Sequence, residues 1–332
     1  MNKSLKVLIL THPHLNPLKI GLAKSKSVDS PCKTESYLFS CLKKLGHKPE
    51  ILELEENLDP LVDRVNQSGN SVDMVFNLLE ELSGEAKFDF HAISYLESKG
   101  IPFSGNGPRS LMLTRDKALT KLVVKSLGYV TPAHTLIRTE QDLINSTLRY
   151  PLFLKFNLED ASLGISQKNK VHNLGEAIEI YRGLKKKLSS HVIAEEFVPG
   201  RDLSISILGN KRKELFPARE LTSPGEGWVA GEKVKFRSDL RREKKIRSIP
   251  AKWSTEKEKL SAFEMSRFVY SELGMRGYGR LDFRRTPEGE LYFLEANANP
   301  DLAKDEDFSV SAKAFGYTYE DLISKIIKLS LF

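Results

Sequence analysis

Apolar and polar positions along this chain fall into blocks whose period switches between that of a strand and that of a helix. Lys6–Leu10 reads as a buried strand, and Thr34–Leu45 has helical spacing ended by Gly46. Ile51–Leu54 and Val72–Leu78 are further strand segments. Phe88–Lys99 is helical and stops at Gly100, with Ile101–Phe103 as a short strand beyond it. Strand and helix alternating in this way predict a doubly wound α/β unit over residues 1–105.

The pattern is mixed after that. Helices are predicted over Arg115–Leu127, Leu174–Leu188 and Glu256–Leu273, and strands over Leu152–Phe156, Val192–Phe197, Ser204–Leu208 and Leu215–Glu220. Two strand-like runs then flank Thr286, Pro287, Glu288, Gly289 and Glu290, which have hairpin-turn chemistry. The last helix starts at Thr318 and Asp321, spaced as a capping pair. Leu322, Ile323, Ile326, Ile327 and Leu329 give it one apolar face. This mixed half is expected to divide into a central α+β lobe, residues 106–195, and a C-terminal α+β lobe, residues 196–332.

A chain of 332 residues can bury cores of that number. Hydrophobic residues make up 40% and charged residues 29%, as in a soluble globular protein. There is no apolar run of bilayer length, so no membrane partner is expected. Cys32 and Cys41 make neither a disulfide framework nor a zinc site, which fits a reducing, cytoplasmic setting. Lys and Arg exceed Asp and Glu by 51 to 44, a net +7 that weakly favours anionic ligands. The densest basic run, Arg237–Arg247, is interrupted by acids and lacks stacking aromatics, so nucleic acid is not the expected partner.

The richest chemistry lies in the hairpin. Glu295 and Asn297 are two residues apart and share a strand face, and antiparallel pairing brings Asp282 beside them. Two carboxylates and an amide oxygen are hard donors that suit Mg²⁺ in contact with phosphates. Arg280 beside them could hold a phosphoryl group or a developing oxyanion. A solvated surface hairpin is the plainer alternative. Upstream, Lys155 ends a strand before a small-residue loop, a placement that can neutralise phosphate. Lys121 shares a helix face with Lys117 and Lys125, a pattern that by itself reads first as an exposed lysine face. In the turn Glu195–Asp202, adenine could lie against Phe197 and Val198, with Glu195 and Asp202 taking amino and ribose hydroxyl groups. His12 and His14 follow the first strand as isolated loop histidines, better read as solvated than as bases. That loop has no glycine triplet, which argues against a dinucleotide site.

Taken in order, Val75–Leu78, Gly100–Asn106, Asp116–Lys121, Pro151–Lys155, Glu195–Asp202, Gly279–Asp282 and Leu294–Asn297 resemble the ATP-grasp superfamily, specifically the D-alanine–D-alanine ligase family. The resemblance implies an N-terminal α/β domain followed by two α+β lobes that clamp ATP. It implies that Lys121, Lys155 and Lys235 hold phosphates and that Glu195, Phe197, Val198 and Asp202 hold adenine and ribose. Asp282, Glu295 and Asn297 would bind two Mg²⁺, with Mn²⁺ as a substitute, and Arg280 would stabilise a tetrahedral intermediate. The implied reaction activates a carboxylate as an acyl phosphate, which an amine then converts to an amide. A homodimer is also implied.

The departures from the family fall on the substrate side. The loop serine of the family's hydroxyl triad is Ala161, beside Ser162, and the tyrosine partner aligns with Phe236. The family's His-Gly pair is Glu80 and Glu81, and a glycine after the metal segment is Asp301. Glu80, Ser162 and Asp301 are therefore the candidate substrate residues, for a carboxylate and an amine other than D-alanine. A small-molecule kinase or a non-catalytic nucleotide-binding protein on the same fold are the alternatives.

Overall fold

A computed structural model describes residues 4–22, 24–26, 30–68, 71–159, 163–188, 190–222, 231, 243 and 246–331. Three sheets organise these residues. The first is parallel, with strands β1 (Lys6–Thr11), β2 (Lys48–Glu53) and β3 (Met74–Asn77) in the order β2-β1-β3. Ile101–Phe103 does not extend it as a strand; Phe103 alone makes a parallel bridge to Val75.

The second sheet is antiparallel. It comprises β4 (His134–Ile137), β5 (Leu152–Phe156), β6 (Lys170–Val171) and β7 (Val192–Glu196), in the order β4-β7-β5-β6. The third holds β8 (Arg201–Leu208), β9 (Glu214–Leu215), β10 (Arg219–Leu221), β11 (Ser248–Pro250), β12 (Tyr278–Arg285) and β13 (Leu291–Ala298). Its path is β11-β10-β8-β12-β13, with β9 on β8. The single strand expected over Leu215–Glu220 is thus two short ones, with Pro217, which has no N–H to give a ladder, between them.

The helix expected over Arg115–Leu127 starts two residues later and spans Lys117–Ser126, and a separate helix, Pro108–Arg115, precedes it. Asp116 between them has extended backbone, and its carboxylate caps the second helix by accepting from Leu119 N at 3.0 Å. The turn between β12 and β13 closes as its residues require: Thr286 N donates to Glu290 O at 2.9 Å. Thr318 and Asp321 cap the final helix reciprocally, at 3.1 Å in each direction.

Packing ties the sheets together around the site. The last helices, Asp307–Phe315 and Tyr319–Leu331, return to the first sheet: Phe308, Leu322 and Ile326 share a core with Val7, Ile9 and Leu38. Val124 joins the core of the third sheet with Ile205, Leu281 and Phe293. Leu154, Ala177 and Val192 build the core of the second. At the junction of the first and third sheets, Asn106 Nδ2 donates to Tyr278 O at 2.7 Å and Asn106 N to Asn299 Oδ1 at 2.9 Å. Gly105 passes so close, with φ +79°, that a Cβ there would lie 2.0 Å from Asn299 Oδ1. No helix among the described residues is long and apolar enough to cross a membrane.

Candidate active site

The second and third sheets enclose a cavity of about 550 Å³. Lys155 and Glu195 reach it from one side, Asp202, Arg280, Asp282 and Glu295 from the other. Each side chain gets there by strand geometry. Lys155 is on β5 and Glu195 on its neighbour β7, while Asp282 and Glu295 are direct partners across β12 and β13. A β-bulge makes the second half of the hairpin work. Asp282 pairs with Glu295 and the next residue, Phe283, with Phe293, so Leu294 is the extra residue. The bulge lets Phe293 and Ala296 both face the core, three apart, while Glu295 and Asn297 stay on the cavity wall.

The carbonyl of that bulged Leu294 accepts a hydrogen bond from the Lys121 ammonium. Lys121 is fully buried, as is much of Lys117, whose Nζ donates to Glu159 O at 2.6 Å. The exposed lysine face is therefore not what the helix presents: only Lys125 of the three is exposed. Lys117 lies on the cavity wall, while Lys121 sits behind Glu195. Glu195 Oε1 is 3.1 Å from Lys121 Nζ and 3.4 Å from Lys155 Nζ, and Lys155 Nζ is 3.9 Å from Glu295 Oε2. Two ammonium groups thus share one buried carboxylate.

The titration shifts follow from that sharing. Burial alone would raise Glu195, but the two lysines overcome it and hold the carboxyl at about 2. Burial dominates at Lys121 and lowers it to about 8, since Glu195 repays only part of its lost hydration. Burial also opposes the charge on Lys155, yet Glu195 and Glu295 together raise it.

The opposite wall carries an excess of negative charge. Asp282 is gripped by Arg280 through two hydrogen bonds of 2.7 Å, and Asn297 Nδ2 donates to it at 2.8 Å. Even so, burial raises Asp282, reinforced by Glu295 and Asp307. Burial raises Asp202 too, reinforced by Asp282 and Glu295, although Arg284 lies 3.0 Å away. Carboxylates that repel one another around a wet cavity fit a hard divalent cation, and Asn297, donating through its nitrogen, leaves Oδ1 for such an ion. Among the described residues no set of three His, Cys, Asp or Glu side chains converges as a ready-made metal cage. The fit is to an ion that also takes ligands from a phosphate.

Phe197 and Val198 line the same cavity. The Phe197 ring lies under Lys170 Nζ at 4.2 Å and the Arg284 guanidinium at 5.6 Å. Glu80 and Asp301 do not line this cavity. Ser162, Lys235, Ala161 and Phe236 lie outside the described residues. His12 and His14 are not simply solvated: their Nδ1 atoms are 2.9 Å apart, and His12 Nε2 is 3.3 Å from Glu81 Oε1.

Arg284 and Asp307 are site residues that the sequence reading missed. Arg284 was detectable, because it continues the two-residue spacing of Arg280 and Asp282 along β12. Asp307 opens a helix nine residues beyond the hairpin and reaches the cavity by tertiary packing, which leaves no local signal.

Over residues 124–328 the chain matches the family model described as D-ala D-ala ligase C-terminus. It is 30% identical over 305 residues to the D-alanine–D-alanine ligase of Aquifex aeolicus, spanning 92% of this chain and 97% of that one. It is 32% identical over 237 residues to the D-alanine–D-alanine ligase of Nitrosospira multiformis, spanning 71% and 73%. Its fold matches the ATP-complexed D-alanine–D-alanine ligase of Bacillus anthracis with a TM-score of 0.74 at 20% identity, over 99% of this chain and 98% of that one.

Proposed function

The chain belongs to the D-alanine–D-alanine ligase family, and we propose that it joins a carboxylate to an amine other than D-alanine. It is an ATP-grasp ligase, using ATP and a divalent metal. The observation that carries the proposal is one cavity that opposes buried lysines to an under-neutralised carboxylate wall. That polarity suits a metal-bound polyphosphate.

In this reading Lys155 meets the phosphates, with Lys121 adding positive potential from behind Glu195, and Lys235 is a further phosphate contact by the family resemblance. Phe197 and Val198 flank the base, and Glu195 and Asp202 bound its polar edge and ribose. Asp282, Glu295 and Asn297 would hold Mg²⁺, taken as two ions, and the metal would supply charge screening for the transferring phosphoryl group. A substrate carboxylate oxygen attacks the γ-phosphorus, and the bond to the bridging oxygen breaks with its electron pair leaving on ADP. An amine then attacks the acyl carbon of the acyl phosphate. Phosphate leaves with the acyl–oxygen bond pair and the amine nitrogen gives up a proton. Arg280, fixed by its two bonds to Asp282, faces the oxyanion of that tetrahedral stage.

Substrates other than D-alanine are supported by Glu80 and Asp301, which replace uncharged or small residues of the family, and by the loss of both hydroxyls at Ala161 and Phe236. Ser162, next to Ala161 in the sequence, keeps a hydroxyl. The test is ADP release from a pool of amino acids and amines. Release that needs a carboxylate and an amine together supports a ligase. A phosphorylated product formed with no amine present would instead make this a kinase. Full activity with D-alanine alone would reject the altered substrate choice.

A further inference from the structure

The register of the third sheet sets one further arginine on the cavity floor. Arg219 of β10 lies directly opposite Ser204 of β8, Ser204 opposite Asp282 of β12, and Asp282 opposite Glu295 of β13. Cross-strand partners share a sheet face, and all four residues line the nucleotide cavity. Asp202 precedes Ser204 by two residues on β8, so it is on the same face, with Arg284 opposite it. The floor is thus a grid. By strand geometry Asp202 stands about 7 Å from Ser204 along β8, and Asp282 and Arg219 flank Ser204 at about 5 Å on either side.

Arg219 differs from the other arginines of this sheet in what it binds. Arg280 is paired with Asp282 and Arg284 with Asp202, while Arg201 and Arg285 share Glu220. Arg219 has no carboxylate within ion-pair distance among the described residues. Ser248 of β11 holds its side chain: Nε donates to Ser248 Oγ at 3.1 Å, and Nη2 donates to the Ser248 carbonyl. Both acceptors are neutral, and Nη1 makes no hydrogen bond among the described residues. Ser204 beside it is buried, and its hydroxyl makes no hydrogen bond among the described residues either. A half-buried guanidinium without a protein counter-charge, next to an uncommitted hydroxyl, has the donor chemistry of an anion site.

We propose that Arg219 and Ser204 bind the nucleotide phosphate nearest the ribose, as a subsite separate from the metal carboxylates and from Lys155. The inference rests on the nucleotide-binding reading of this cavity. In that reading Asp202 takes the ribose hydroxyls, and Asp282 and Glu295 face the metal on the outer phosphates. Ser204 neighbours both Asp202 and Asp282, so the phosphate that links ribose to metal passes over it, within reach of the guanidinium on the next strand. Lys155, 3.9 Å from Glu295, serves the opposite end of the row. ADP keeps the phosphate nearest the ribose, so Arg219 holds the nucleotide equally before and after phosphoryl transfer and takes no part in the transfer itself.

The test is calorimetric titration of the full chain, with Mg²⁺ present, by ADP and by a non-hydrolysable ATP analogue. Arg219→Met is expected to weaken both by the same factor, about tenfold or more. Arg219→Lys keeps a point charge and should recover most of that loss. Ser204→Ala should weaken both severalfold. A loss confined to the ATP analogue would place Arg219 at the terminal phosphate and overturn the assignment. Affinities of Arg219→Met within twofold of wild type would overturn it as well. Equal losses in Arg219→Met and Arg219→Lys, with a lowered melting temperature in both, would make Arg219 a structural tie to Ser248 and no anion site. If the wild type binds neither ADP nor the analogue, it is the nucleotide reading of the cavity that fails, and this subsite with it.

Discussion

Replacing Glu195 by Gln removes the charge that two buried lysines share, while keeping the side chain's shape. The size of the effect follows from the carboxyl's own titration. Folding lowers Glu195 from 4.5 to about 2, which corresponds to about 3 kcal/mol of stabilisation of its charged form. Glu195 is 4% exposed, so little of this is screened by solvent. The figure agrees with the roughly 3–5 kcal/mol lost when one member of a buried ion pair is removed. Lys155 keeps Glu295 at 3.9 Å, whereas Lys121 is left with a carbonyl and should lose its proton.

Hydrogen exchange is the assay of choice, since a chain of several lobes does not unfold in one step. Amides of β5 and β7 should exchange on the order of a hundredfold faster in Glu195→Gln. The sign of the pH dependence is fixed as well. A carboxyl whose folded value is depressed stabilises fully above its unfolded value, near 4.5, and its contribution is lost as pH falls through about 2. Wild type and variant should differ most at neutral pH and converge in acid. Protection of β5 and β7 unchanged within twofold at pH 7 would refute the shared-carboxylate account.

Other consequences can be measured directly. Glu295→Ala should abolish ADP release while weakening nucleotide binding far less; retained turnover would reject its metal role. Affinity for an ATP analogue should fall as pH rises through about 8, where Lys121 gives up its proton, and Lys121→Met should remove that inflection. A calorimetric titration between pH 6.5 and 9 reads both, and a profile identical in wild type and variant would exclude Lys121. Arg284→Met takes away the partner of Asp202 and one of the two cations over Phe197, and should raise KM for ATP about tenfold with kcat little changed. A loss confined to kcat would move Arg284 from nucleotide binding to the chemical step.

Much of the fold was legible because each piece carried a local signal. The short apolar runs of β1, β5 and β7 and the capping pair at Thr318 and Asp321 needed no tertiary information. The hairpin was equally clear, since its turn residues and acidic positions lie on contiguous sequence. The bulge at Leu294 was not legible: an extra residue is defined only by what its partner strand does. The break at Asp116 was hidden within an otherwise continuous helical pattern, although an aspartate three residues before Leu119 is a capping signal. Burial of Lys117 and Lys121 could not be read from a helix face bearing three lysines. It depends on a carboxylate and a carbonyl supplied from β7 and β13.

The central claim is that ATP activates a substrate carboxylate before an amine takes the acyl group. It is tested most directly by oxygen transfer. The enzyme is given ATP, Mg²⁺ and a mixture of amino acids labelled with ¹⁸O in their carboxylates, and the released phosphate is analysed by mass spectrometry. Attack by the carboxylate predicts one ¹⁸O in each phosphate formed with amide product, and none from Glu295→Ala. ADP formed with unlabelled phosphate would contradict the account.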